Sequence, residues 1–266
     1  MKKPICLFDS GIGGLTVLKK LIEKFPTEEY IYFSDLARVP FGDKTKEEVK
    51  AIANEIIDWL LKFEPKTIIM ACNASSAALS SELSAINNKL NIPIFGIIDH
   101  CTKEITKSNY RKVSVWTTKV TAESNAYKTQ IKSINPNIFV EEIQCPKLVP
   151  MIESLKFTLE ERDRILSEYL DLTSKDTELI VLGCTHYPLI LEDIKSLTKK
   201  NVMDPADSLV KNLKDIITPT NNKPEQVNIT LYTTAQKEKL ERFSRLYLDQ
   251  NTNVNLVTSN KVSVKS

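Results

Sequence analysis

The sequence has no apolar run approaching the ~20 residues that a membrane-crossing helix needs. It also has no Cys-x-x-Cys pair and no excess of charge of one sign. The first absence leads us to expect a soluble protein. The last, with 36 basic and 34 acidic residues interspersed for a net charge of +2, leaves no long-range field to gather nucleic acid. The expected partner is a small neutral or anionic molecule. The stretch from Met1 to Asp9 carries two lysines, but its apolar run stops at Asp9, too short for a signal-peptide core, and the protein is read as cytoplasmic. Five cysteines, at 6, 72, 101, 145 and 184, stand far apart, which argues against disulfides and zinc sites. A cysteine in that setting is by default a small buried hydrophobe, and Cys6 and Cys145 keep that reading.

Hydrophobic residues make up 42% of the chain and charged residues 26%, enough for a sizeable core. Short β-rich runs at 5–9, 30–34, 67–72, 94–98, 112–117, 138–143, 178–183 and 228–233 read as strands. Helical periodicity fills 15–24, 46–63, 76–90, 122–133, 159–172 and 189–199. The alternation predicts an α/β fold of two similar lobes, each a mainly parallel sheet flanked by helices, with the active site in the cleft between them. No Gly/Ser-rich linker marks a boundary. Residues 1–97 plus 208–266 are assigned to a first lobe carrying Asp9 and Cys72, and 98–207 to a second carrying Cys184 and His186. The polar tail from Asn251 to Ser266 is expected to fray.

The pattern runs twice. A strand ending at Asp9 is followed by one ending at Cys72, and Thr117 and Cys184 form a similar pair at nearly the same separation. Ligands of open α/β sheets sit at the carboxyl ends of strands, where both cysteines fall. The turn Asp9-Ser10-Gly11-Ile12-Gly13-Gly14 lets backbone amides approach an anion. It has neither the lysine of a phosphate loop nor the dinucleotide spacing, so it fits a carboxylate, although a plain capping turn fits it as well. Cys72, in Ala71-Cys72-Asn73, and Cys184, in Gly183-Cys184-Thr185-His186-Tyr187-Pro188, both follow apolar strands. His186 is one of only two histidines and stands two residues from a cysteine it could tune.

A cysteine hydrolase needs one nucleophile. Racemisation without a cofactor needs two groups, one taking the α-proton from one face while the other delivers a proton to the opposite face. Cysteine, with its pKa near 8.5 and tuned downward by its surroundings, can serve in either role. No metal or pyridoxal site is visible in the sequence, so no cofactor is expected.

Through 8–17, 35–42, Ala71-Cys72-Asn73 and 183–188 the chain resembles the glutamate racemases of the wider aspartate/glutamate racemase family, over nearly its whole length. The resemblance implies an isomerase in which Cys72 and Cys184 are the acid/bases, with Asp9 supporting the first and His186 the second, and Glu153 assisting His186. It implies that Ser10, Gly42, Asn73 and Thr185 contact the substrate and that Thr118 and Thr121 reach its distal carboxylate. Phe41, Ala74 and Ser75 complete the implied binding set. Phe41 stands where tyrosine is common, and Ala74 stands where a threonine hydroxyl is usual, which leaves open whether Ser75 replaces it. Trp116-Thr117 takes the place of a smaller residue and glycine and is expected to reshape the pocket floor, and Asp204-Pro205 is unusual. Asp35, Arg38 and Glu153, without the resemblance, read as ordinary ion pairs or solvated residues. The implied activity is interconversion of L- and D-glutamate, supplying D-glutamate for peptidoglycan and hence cell-wall biogenesis and cell shape, by a homodimer. The alternatives are racemisation of aspartate or another amino acid by the same mechanism, or a catalytically weak amino-acid-binding paralogue.

Overall fold

The computed structural model describes residues 3–217, 224–248, 252–258 and 262. Among them are ten strands: β1 (Ile5–Asp9), β2 (Glu29–Ser34), β3 (Thr67–Met70), β4 (Ile94–Gly96), β5 (Lys112–Thr117), β6 (Phe139–Gln144), β7 (Leu179–Gly183), β8 (Asn201–Met203), β9 (Asn228–Thr233) and β10 (Asn253–Leu256). The α-helices among the described residues are α1 (Leu15–Lys24), α2 (Lys46–Leu61), α3 (Asn73–Leu79), α4 (Leu83–Leu90), α5 (Ile97–Lys107), α6 (Lys119–Ser124), α7 (Ala126–Ile134), α8 (Leu148–Ser154), α9 (Leu159–Leu172), α10 (Leu191–Leu197), α11 (Pro205–Asn212) and α12 (Lys237–Leu248).

The strands form two sheets, in the orders β10-β9-β2-β1-β3-β4 and β6-β5-β7-β8, and every pairing is parallel. This is the two-lobed α/β fold expected from the alternation. Parallel strands are covered on both faces, so they read as continuous apolar runs. In β1, for example, Ile5 and Leu7 enter one core cluster while Cys6 and Phe8 enter another. The first of these clusters is shared between the sheets, since it joins Ile5 and Leu7 to Val113, Val115, Leu179 and Val181. The lobes are thus welded by a common apolar layer, in which α5 packs against α7 and α11.

The topology fixes where a ligand can go. From β1 the chain passes to β2 on one side and then to β3 on the other; from β5 it passes to β6 on one side and then to β7 on the other. Each reversal opens a crevice at the carboxyl ends of the two central strands. Asp9 and Cys72 flank the first crevice, and Thr117 and Cys184 the second.

Several sequence expectations need correction. The strand expected over 94–98 stops at Gly96, which caps α5. The helix expected over 76–90 is two, broken at 80–82, and begins earlier, at Asn73. That expected over 122–133 is also two, broken where Asn125 adopts a left-handed conformation (φ 51°). The strand expected to reach Cys72 ends at Met70, leaving Cys72 as the N-cap residue of α3. Within the tail expected to fray, 253–256 is instead the edge strand β10, held in register on β9; Asn251 and most of 259–266 lie outside the described residues. Asp204-Pro205 has a structural explanation. Asp204 is the N-cap of α11, accepting from the Ala206 amide at 2.9 Å, with proline at the first helical position, and Lys20 pairs with it at 2.8 Å.

Candidate active site

The β1 turn is built around Asp9, which is completely buried. Its Oδ2 accepts from the Gly11 amide at 2.9 Å and its Oδ1 accepts from the Thr185 hydroxyl at 3.1 Å, so the turn of the first sheet is tied to the cysteine turn of the second. A second tie runs beside it: the Thr16 hydroxyl lies 2.9 Å from the Gly13 carbonyl and 3.1 Å from the Thr185 carbonyl, donating across the lobes. Gly13 is required by this contact. A Cβ there would lie 2.4 Å from Thr185 Oγ1 and 2.6 Å from His186 Nδ1.

Cys72 is 5% exposed, and its Sγ lies 3.7 Å from the Ser10 hydroxyl. Burial, followed by the nearby Asp9 carboxylate, pushes the Cys72 thiol up to about 11, against the pull of the Ser75 amide and the Ser10 hydroxyl. This reverses the downward tuning expected from the sequence. The seven-residue α3 is too short to offset the loss of water and a neighbouring negative charge. Burial likewise raises the Asp9 carboxyl, opposed by the charge of His186 and the hydrogen bonds from Gly11 and Thr185.

Cys184 is 8% exposed, and its Sγ lies 3.8 Å from His186 Nδ1. On its other edge His186 Nε2 is 2.9 Å from Glu153 Oε1, and Lys239 donates to Glu153 Oε2 at 2.7 Å. Burial works against the imidazolium, but the Cys184 and Glu153 partners outweigh it and raise His186 to about 10. Glu153, whose own burial is outweighed by His186 and Lys239, is held down at about 2. A charged carboxylate-imidazolium pair therefore stands beside the Cys184 sulfur at neutral pH. Burial and two-sided hydrogen bonding thus replace the solvated ion pair that Glu153 alone suggests.

The remaining expected residues gather where the lobes meet. Phe41 is buried with Cys72, Ala74 and Val120 in one apolar cluster, and α6, which carries Val120, packs against α3, which Cys72 caps. Gly42 abuts Thr118, where an added Cβ would come within 2.9 Å, and Thr118 Oγ1 lies 3.3 Å from Thr121 Oγ1. Asn73 is buried and accepts from the Tyr127 hydroxyl at 2.7 Å through Oδ1, while its Nδ2 is unpaired. Ser75 Oγ is likewise buried, with no hydrogen-bond partner beyond the Cys72 sulfur, whose thiolate form it favours.

Other expected residues have structural work. The buried Asp35 accepts from Arg38 Nε at 2.6 Å and from the Thr234 hydroxyl at 2.8 Å, bracing the end of β2. Trp116 is fully buried, donates to Thr173 Oγ1 at 2.9 Å and packs on Tyr169. It fills the core beneath α9, and the expectation that it reshapes the pocket floor is corrected accordingly. Lys239, Tyr127 and Thr16 are contacts that sequence reasoning missed. Two cavities, bordered by Val227, Asn228 and Asn253 and by Tyr110, Glu178 and Asn201, lie at the opposite, amino ends of the strands and contain no cysteine or histidine. Among the described residues no group of three or more His, Cys, Asp or Glu is arranged to hold a metal ion, and no helix is long and apolar enough to cross a membrane.

Residues 13–213 match the family described as Asp/Glu/Hydantoin racemase. The chain is 39% identical to a glutamate racemase of Fusobacterium nucleatum, covering 87% of this chain and 89% of that one. It is 36% identical to glutamate racemase 3 of Caldanaerobacter subterraneus, covering 97% and 96%. In three dimensions it is similar to the glutamate racemase of Francisella tularensis solved with D-glutamate, with a TM-score of 0.84, 31% identity and coverage of 96% and 97%. The enzyme of Thermus thermophilus solved with β-chloro-D-alanine gives a TM-score of 0.83 at 31% identity, covering 98% of each chain. With two parallel-sheet lobes and a cysteine turn at the crevice of each, the chain belongs to the Asp/Glu/Hydantoin racemase family.

Proposed function

We propose that this protein is a glutamate racemase that works without a cofactor, using Cys72 and Cys184 as a two-base pair. The observation that carries the reading is the pairing of the two cysteine turns at equivalent crevices, joined through the Asp9 to Thr185 hydrogen bond. One sulfur, as thiolate, takes the α-proton; the C–H electron pair stays on Cα, delocalised into the carboxylate, and the other thiol gives its proton to the opposite face. The reverse reaction exchanges the roles. Burial and Asp9 keep Cys72 protonated at neutral pH, the form that donates, while the His186 imidazolium stands beside the sulfur that must carry negative charge as base.

The carbanion needs its carboxylate held by donors; Ser10, Asn73 and Ser75 supply side-chain donors, while Thr185, whose hydroxyl is committed to Asp9, contributes through its backbone amide. Ser75, with a buried hydroxyl beside the Cys72 sulfur, takes the place of the hydroxyl missing at Ala74. Phe41 and Ala74 form the apolar wall beside Cys72, and Gly42, Thr118 and Thr121 meet the distal carboxylate. We assign residues 1–97 plus 208–266 and 98–207 to the two lobes, supported by the division of the strands between the sheets. A cytoplasmic homodimer supplying D-glutamate to peptidoglycan completes the proposal as what the family resemblance implies; the relatives' names support the glutamate racemase activity alone.

Circular dichroism of the purified protein with each enantiomer of glutamate, beside Cys72→Ser and Cys184→Ser, tests this reading. Decay of both signals to zero, abolished in both variants, is the expected result. Silence with glutamate but turnover of aspartate would reassign the substrate, and silence throughout would leave an amino-acid-binding paralogue.

A further inference from the structure

We propose that Tyr127 is a positioning residue that orients the Asn73 side-chain amide so that Nδ2 donates to a carboxylate oxygen of the substrate. The inference rests on the reading of Asn73 as a substrate-binding residue. Tyr127 lies on α7, in the sheet-two half of the molecule, and its hydroxyl reaches across to Asn73 Oδ1 at 2.7 Å. Asn73 lies on α3 and directly follows Cys72.

A carbonyl oxygen can only accept, so the bond with Tyr127 fixes which end of the amide faces it and turns Nδ2 the other way. Were the amide reversed, Nδ2 could donate to the phenol oxygen, but the phenol proton would then lose its acceptor. Asn73 Oδ1 is the only hydrogen-bond partner of the Tyr127 hydroxyl among the described residues. Burial, reinforced by neighbouring acidic groups such as Cys101 and Glu142, keeps the Tyr127 phenol protonated far above neutral pH, so it remains a donor throughout the working range.

The consequence is an unpaired donor in an enclosed place. Asn73 is 3% exposed, yet Nδ2 has no partner. Buried polar groups are almost always paired, and one left open beside a reactive sulfur is what a ligand oxygen would complete. Tyr127 itself is wholly buried in the core shared by the lobes, which pins its ring. The lobe without Cys72 thereby sets the angle of a donor next to Cys72.

The test compares wild type, Tyr127→Phe, Asn73→Ala and the double variant, all as the full chain, for glutamate turnover and for D-glutamate binding by calorimetry, with Tm as the check on folding. Tyr127→Phe keeps the buried ring, so we expect a folded protein whose kcat/KM falls about tenfold, the loss of roughly one oriented hydrogen bond, carried mainly in KM. Asn73→Ala falls at least as far, and adding Tyr127→Phe to it changes nothing further. Wild-type kinetics for Tyr127→Phe, or an undiminished effect of it in the Asn73→Ala background, would overturn the positioning role while leaving Asn73 in place. Wild-type turnover and binding for Asn73→Ala would remove the underlying reading, and the proposal with it. A wild-type protein that neither turns over nor binds glutamate would do the same.

Discussion

The Thr185 hydroxyl donates to Asp9 Oδ1 at 3.1 Å, linking the end of β1 in one sheet to the cysteine turn that follows β7 in the other. Spacing within either half of the chain does not require it. It follows from two crevices facing each other across a shared apolar layer, and it means that a distortion of either turn is felt at both cysteines.

Gly13 is the most sensitive point of that junction. In Gly13→Ala the new methyl would collide with Thr185 and His186, both part of packed elements rather than flexible surface groups. Overpacking of this kind costs about 1–3 kcal/mol. We expect a lowered Tm in thermal melts and, in the same protein, a loss of racemase activity out of proportion to the stability change, because the clash displaces His186 from Cys184. A variant that melts lower yet keeps its kcat/KM would show that the junction is structural only.

The two histidines give a direct reading of the site electrostatics. Burial, then Lys103, lowers His100 to about 4, whereas His186 is raised to about 10. Proton-detected nitrogen spectra of the imidazoles should therefore show one histidine neutral and one protonated at pH 7. In Glu153→Gln the His186 midpoint should fall, since a hydrogen-bonded carboxylate has been replaced by a neutral amide.

The same pair sets a pH window for stability. His186 is raised above its ordinary 6.5, so its contribution is complete below about 6.5 and is lost as pH rises through about 10. Glu153 is lowered from 4.5, so its contribution is complete above about 4.5 and is lost as pH falls toward about 2. Denaturant titrations at several pH values should show the stability difference between wild type and Glu153→Gln at its largest between these limits. A difference that is flat from acid to alkali would contradict the pairing.

Trp116 separates core from pocket. Trp116→Phe removes the donor to Thr173 and should lower stability by about 1–3 kcal/mol, read from denaturant melts, with kcat/KM for glutamate unchanged. A selective change in KM would return Trp116 to the pocket.

Much of this site is legible in the chain because its parts lie at strand ends. Apolar runs broken by Asp9, Cys72, Thr117 and Cys184 mark the crevices without knowledge of the tertiary fold. What escapes is whatever depends on distant pairing. Lys239 is 86 residues from Glu153 and Tyr127 is 54 from Asn73, and nothing in either local pattern sets those residues apart from any other helical lysine or core tyrosine. The direction of the Cys72 shift escapes for the same reason, since burial and the Asp9 charge are properties of the assembled fold. Edge strands β8 and β10 are short and partly polar, and only their neighbours make them strands. Asn125 breaks a helix by a left-handed turn that periodicity does not record.

The central claim is that two different groups serve the two faces of the substrate. Reaction of L-glutamate in D2O, stopped at low conversion, with each enantiomer separated and its α-position examined by mass spectrometry, tests it most directly. Two cysteines on opposite faces predict deuterium in the D-glutamate formed and protium retained in the L-glutamate recovered, with the mirror result from D-glutamate. Deuterium entering the recovered L-glutamate as fast as it enters the product would contradict the account, because it would mean that one group serves both faces.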